Sequence, residues 1–168
     1  MAVSASGTIS INAVLSAVES LDLSVEKKAA LSKLLTQTFA SGVGLNQFDR
    51  LFVDERTVAG SATDTLDFNG GGLVDVLGSA WAPARLKFLI LVNLGPNPMR
   101  LQRPAANGIA IYLAASDGEE IPLNGVLVKI WPDATGKVVT AGSADLLDVV
   151  NTAAGNSIYQ IIAGGASA

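Results

Sequence analysis

The sequence predicts a mainly β protein, an antiparallel sandwich or jelly roll preceded by a short helical segment. Three observations carry this reading. Short runs of alternating apolar and polar residues recur at spacings of about eight to twelve residues, broken by Gly, Pro and Asn and with no helical crossovers between them. The composition is rich in turn formers, with 17 Gly, and only 5% aromatic and 15% charged residues, while 49% apolar content suffices for a core in 168 residues. The hydrophobic period also changes near Ser41-Gly42-Val43-Gly44, from three or four residues before it to two after it. That change divides the chain into a helical arm, residues 1 to 41, and a β domain, residues 42 to 168.

In the arm, Ile11, Val14, Leu15, Val18 and Leu21 recur at helical spacing. Asp22-Leu23-Ser24 interrupts them, and Ser24 caps a second helix with Glu26 in its first turn. On that helix Leu31, Leu34, Leu35, Thr38 and Phe39 form one stripe, with Lys27, Lys28 and Lys33 off it. Two such helices are marginal alone, so the stripe packs either on the β domain of its own chain or on a neighbouring subunit.

Beyond Gly44, strands are expected at Leu51 to Val58 and at Thr63 to Phe68, the latter with Leu66 and Phe68 opposite Thr65 and Asp67. Asn69-Gly70-Gly71-Gly72 is a turn or bulge, and Leu73 to Leu77 a short strand or helical turn. Ala84 to Asn93 is the expected centre of the sheet, apolar on one face throughout and on both towards its end. Asn93-Leu94-Gly95-Pro96-Asn97-Pro98 turns the chain into Met99 to Arg103. Ile109 to Leu113 is a further strand, Asp117 to Glu120 a polar loop, and Ile121-Pro122-Leu123 an edge segment, since proline cannot donate to a central ladder. From Gly125 onward the pattern reads as a strand to Ile130, a tight Asp133-Ala134-Thr135-Gly136 turn, and strands at Lys137 to Thr140, Leu146 to Val150 and Ser157 to Ile162.

Several classes of function are disfavoured by composition. Zero His and zero Cys remove the usual general base near neutral pH, the Ser-His-Asp triad, thiolate nucleophiles and nearly every zinc site. A net charge of -4 argues against a nucleic-acid partner, which demands a concentrated basic face. The N-terminus lacks the charged and apolar regions of a secretory signal, and no apolar run approaches a membrane span, so a soluble protein made in the cytoplasm, with no membrane partner, is expected.

The remaining candidates are weaker. The glycines at 70 to 72 lack the Lys-Ser/Thr of a phosphate loop. Asp117, Glu119 and Glu120 match no calcium-loop spacing, and Asp64, Asp67 and Asp75 are glycosidase carboxylates only by abundance. No cofactor or metal site is therefore expected. Arg85, Lys87, Arg100 and Arg103 would form a basic stripe if the strands flanking the Gly95 turn pair, and such a stripe suits an acidic partner surface, including a second copy. Trp81, Trp131 and Tyr112 are the aromatic residues for a sugar-stacking groove.

The stretch Trp131-Pro132-Asp133-Ala134-Thr135-Gly136, with Val138-Val139-Thr140-Ala141-Gly142, Ala144-Asp145-Leu146-Leu147 and Tyr159-Gln160-Ile161-Ile162, resembles a family of small virion structural proteins of tailed bacteriophages. Gly44-Leu45-Asn46-Gln47-Phe48-Asp49-Arg50-Leu51-Phe52 and Glu55-Arg56-Thr57-Val58-Ala59 extend the resemblance, which covers about residues 42 to 168. It implies a jelly-roll β-sandwich that decorates or cements the capsid as a homotrimer, with the major capsid protein as partner, the capsid surface of the virion as location, and no catalytic residues. The expected assembly residues are Leu31, Leu34, Leu35 and Phe39 on the arm and Arg85, Lys87, Arg100 and Arg103 on the sheet. The alternatives are a host- or glycan-binding module on a head or tail fibre, and a tail or connector component.

Overall fold

A computed structural model describes residues 4–20 and 26–168, with the side chains of residues 18–20 and 26–28 left out. The described residues are all-β and contain no helix. They fall into two compact units, Gly7–Phe39 and the body from Ala40 to Ala168 together with residues 4–6.

The first unit corrects the helical expectation. Gly7–Ser20 is a strand, β1, and Glu26–Ser41 a second, β2, paired antiparallel in unbroken register from Gly7 opposite Phe39 to Ser20 opposite Glu26. The physical reason lies in a period the helical reading passed over. Ile9, Ile11, Ala13, Leu15 and Ala17 alternate with Thr8, Ser10, Asn12 and Ser16, broken only by Val14, and β-branched residues favour the extended form. Leu21 and the Asp22-Leu23-Ser24 break lie outside the described residues.

In the body the strands are β3 (Gln47–Phe48), β4 (Arg50–Val58), β5 (Ala62–Asp67), β6 (Arg85–Asn93), β7 (Met99–Gln102), β8 (Gly118–Ile121), β9 (Val126–Ile130), β10 (Lys137–Val138), β11 (Leu146–Asn151) and β12 (Ser157–Ala166). One sheet runs β4-β12-β6, with β9 and β10 both pairing to β6; the other runs β5-β11-β7-β8. Ladders within both are antiparallel. One hydrophobic cluster draws on both sheets: Phe52, Leu89, Leu91, Tyr159, Ile161 and Ala163 from the first, and Leu66, Leu101, Ile121, Leu147 and Val149 from the second. Alternation puts these residues inward on each strand, as the period of two requires.

Two segments depart from the sequence reading. Gly118–Ile121, of which Gly118 to Glu120 were expected in a polar loop and Ile121 in an edge segment, is the outermost strand of its sheet, and its exposed Glu119 and Glu120 put charge on an edge that would otherwise invite pairing. Ile109 to Leu113, expected as a strand, is irregular, although Ile109 and Ile111 are buried.

Two asparagines tie the turns to the sheets. Asn93, fully buried at the end of β6, donates its Nδ2 to the carbonyls of Asn97, Ile121 and Pro122, at 2.8, 3.0 and 3.1 Å. Asn151 does the same for Val58, Ala59 and Gly155. Each satisfies several carbonyls that a turn leaves without ladder partners.

Candidate assembly interface

The ribbon of β1 and β2 sorts its side chains by register. Residues directly opposite in an antiparallel pair share a face, so Ile9, Ile11, Ala13, Leu15 and Ala17 lie with Ala29, Leu31, Lys33, Leu35 and Gln37. The other face holds Thr8, Ser10, Asn12 and Ser16 with Ser32, Thr36 and Thr38, interrupted by Val14, Leu34 and Ala30. Ile11, Leu15, Leu31 and Leu35 are 44–60% exposed, although large aliphatics on a monomer are normally covered. The expected arm residues therefore separate. Leu31 and Leu35 share the apolar face, Leu34 sits on the polar one, and Phe39 is buried and unavailable to a partner.

A second apolar surface lies on the body, on the side of the β4-β12-β6-β9 sheet away from the core. The ladders align Val53, Ile162, Ile90 and Val128 in one row across four strands. The next row is Glu55, Gln160, Val92 and Val126, and the one on the other side Leu51, Gly164, Phe88 and Ile130. Val53, Ile158 and Val126 are exposed, Ile90, Val92, Val128 and Ile162 half-buried, and Phe88 and Gly164 are closed off, the Phe88 ring edge-on to Phe48 at 5.2 Å. Glu55, which accepts from Gln160 Nε2 at 2.9 Å, is the one charged side chain in these rows. Sequence reasoning missed this surface by treating the double apolar face of β6 as burial on both sides. Its signal was Ile90 and Val92 continuing beside Ile162 and Val128 in neighbouring strands.

The basic stripe does not form. β6 and β7 belong to different sheets, so the strands flanking the Gly95 turn do not pair. Each cation instead holds a loop. Arg85 donates to the Ala134 carbonyl at 3.2 Å, Arg100 to Ser116 at 3.0 Å, and Arg103 to Tyr112 and Leu113 at 3.3 and 3.2 Å. Lys87 is fully buried and donates Nζ to the carbonyls of Asp133 and Ala134. Burial pushes its ammonium below the ordinary lysine value, against the pull of the Asp133 carboxylate. These four are clamps on turns, with Lys87 beyond reach of any partner.

The acidic candidates are likewise engaged within the fold. Asp64 receives a two-pronged bond from Arg56, at 2.6 and 2.9 Å, and a third from the Tyr159 hydroxyl at 2.8 Å. Burial alone would raise its carboxyl, yet the Arg56 and Tyr159 bonds outweigh that and hold it below the usual carboxylate range. Asp67 accepts from the Asn69 amide and Asp75 from those of Leu77 and Ser79. Asp117 accepts from Ala114, and Glu119 pairs with Lys129 at 2.9 Å. Among the described residues no group of three or more acids is placed to hold a metal ion. Asn69-Gly70-Gly71-Gly72 is a turn in which Gly70 and Gly72 take φ of 145° and 75°, values that glycine tolerates. Of the aromatics proposed for a groove, Trp81 is buried between Phe52 and Phe68, while Trp131 and Tyr112 are half-buried with Lys137 and Lys129 over their rings.

No protein-family model matches the chain, and no curated protein matches it. Among solved structures the Yersinia pseudotuberculosis-derived mitogen is similar at 15% identity with a TM-score of 0.36, over 70% of this chain and 87% of that one.

Proposed function

We propose that this chain is a structural protein of a phage virion, a homotrimer that decorates and stabilises the capsid by packing apolar surface across subunit boundaries. The observation that carries the reading is the two-stranded ribbon with an open apolar face: Ile11, Leu15, Leu31 and Leu35 stay exposed on one side of a hairpin whose other side is mostly polar but carries the exposed Val14 and Leu34. A lone two-stranded hairpin is marginal in water, so a ribbon of this length calls for a covering partner.

The strand order supports the jelly-roll reading of the body. The eight strands β4, β5, β6, β7, β8, β9, β11 and β12, taken in chain order, alternate between sheets except at the β7-β8 hairpin, so that β4-β12-β6-β9 faces β5-β11-β7-β8. That is the arrangement of two interlocked Greek keys, a fold used by capsid and lectin domains among others. Since fold does not fix function, the virion assignment leans on the turn and strand residues between 42 and 168 that resemble phage structural proteins.

Within this reading the mechanism is mechanical. Apolar area hidden between neighbours contributes about 25 cal/mol per Å², and that free energy opposes any separation of the subunits it joins. The test is to mix the purified chain with capsid shells lacking it and examine them by cryo-electron microscopy. The expected result is three-fold density on the outer shell, with shells that withstand higher temperature. Bare shells, or density confined to the tail, would overturn the proposal.

A further inference from the structure

The ribbon and the five-stranded sheet each leave an apolar face open, and the two faces match in size and charge. We propose that they cover one another between copies: the ribbon of one chain lies with its apolar face on the outer face of the β4-β12-β6-β9 sheet of a second copy. The exchange deepens the assembly reading above and rests on its homo-oligomeric part.

Size is the first argument. The apolar run from Ile9 to Ala17, at about 3.3 Å per residue and two strands at about 4.8 Å, makes a strip of about 27 by 10 Å. The sheet face, four strands wide and about six residues long, measures about 19 by 20 Å with a diagonal of about 27 Å. A strip laid along that diagonal is covered over its whole length. Each seat hides up to about 270 Å² in projection on each partner, or about 540 Å² in all, so a reciprocal pair, or the two seats that hold each chain in a closed ring, hides about 1,080 Å² and reaches the roughly 1,000 Å² that a biological interface should clear. One seat alone falls short, which favours closure over an open chain.

Charge is the second argument. Within the strip from Ile9 to Ala17 and its partners on β2, the one charged side chain on the apolar face is Lys33, in the middle. On the rows of the sheet face it is Glu55. Opposite single charges on two otherwise apolar surfaces fix register and exclude partners of the wrong sign. Two ribbons packed face to face would enclose two Lys33 charges and no carboxylate to meet them, and two sheets two Glu55 charges and no cation.

The chain has no cysteine, so introduced thiols report only the contact in question. Leu15→Cys on a chain with one tag and Ile162→Cys on a chain with another are co-expressed and mildly oxidised. The expected product is a disulfide-linked species carrying both tags, at least tenfold above Ser10→Cys paired with Ile162→Cys, because Ser10 lies on the polar face. No doubly tagged species, equal yield from Ser10→Cys, or a predominance of Leu15→Cys linked to itself would each overturn the exchange. A second measurement guards against misfolding: Val53→Asp, at a site 48% exposed, should keep the folded circular dichroism spectrum while light scattering mass falls to that of a monomer. An unchanged mass, or a wild-type chain already monomeric at micromolar concentration, would also overturn it. Failure here differs from failure of the virion reading. Decorated shells without the cross-link sink the exchange alone, and the cross-link with bare shells sinks only the virion.

Discussion

The ribbon and the body use the same chemistry to opposite ends. In the body, alternation sends Phe52, Leu89, Leu91 and Ile161 inward to face Leu101, Leu147 and Val149, so each strand's apolar side meets another sheet of the same chain. In the ribbon, Ile9, Ile11, Ala13 and Leu15 alternate with polar residues except at Val14, yet Ile11 and Leu15 remain exposed and Ile9 and Ala13 only half-buried. What differs is closure. A strand pattern specifies a face, and only the number and order of strands decides whether the chain itself covers that face. The body has enough strands to cover the inner faces of its two sheets, and the ribbon, with two, covers neither of its own.

The sharpest way to break the contrast is to open the closed side. Trp81 is 2% exposed, with the Phe52 and Phe68 rings 5.6 and 6.3 Å away. Trp81→Ala removes the largest buried side chain of this cluster and leaves a cavity that the flanking rings cannot fill. It should destabilise the body by about 3–5 kcal/mol, read as a shift of the urea midpoint at constant slope. A loss under about 1 kcal/mol would mean that the two sheets do not depend on this packing.

How much of this was legible follows the same line. Short strands between Gly, Pro and Asn turns were readable because the turn residues cap their length: the core strand from about Ala84 to Asn93 is β6, and Thr63 to Phe68 is β5 shifted by one residue. The end of β12 was not. The strand was expected to end at Ile162, yet Ala163, Gly164 and Gly165 continue it, and position 164 is glycine because a Cβ there would lie 2.0 Å from the Phe88 ring. Small residues are demanded there by a neighbour remote in sequence. The ribbon failed for a different reason. Leu31, Leu34 and Leu35 fit a helical stripe, and the four-residue spacing of Leu31 and Leu35 is common to a helix face and a strand face. The basic stripe failed because pairing across a turn is a default only within one sheet, and the Gly95 turn passes between sheets.

A middle-sized effect sits where the two sheets meet through polar atoms. Asp64 on β5 is bonded by Arg56 on β4 and Tyr159 on β12, linking the sheets. Asp64→Ala leaves Arg56 with only Asp54, at 3.0 Å, and strands the buried Tyr159 hydroxyl, costing about 2 kcal/mol. The pH dependence has a definite sign. The carboxyl titrates below its ordinary value in the folded chain, so its contribution is complete above about pH 4 and is lost as pH falls through the folded value. Burial, reinforced by the Asp64 charge, raises the Tyr159 phenol. Its contribution is complete below about pH 10 and lost as pH rises through the folded value. Wild-type stability should hold a plateau between those limits, and Asp64→Ala should lose stability less steeply below pH 4. An acid limb unchanged by the substitution would remove Asp64 as its source.

The smallest effect on folding should come from the ribbon, and its smallness is the point. Leu31 and Leu35 are more than half exposed, so Leu31→Ser with Leu35→Ser removes little packing within one chain. The stability of the body, followed by tryptophan fluorescence in urea at a dilution where the chain is monomeric, should change by no more than about 0.5 kcal/mol. Leu147→Ser in the body, fully buried, serves as the contrast and should cost several times more. If the ribbon pair destabilises the monomer as much as Leu147→Ser does, those leucines are already covered within their own chain. In that case the division into a closed body and an open ribbon is wrong.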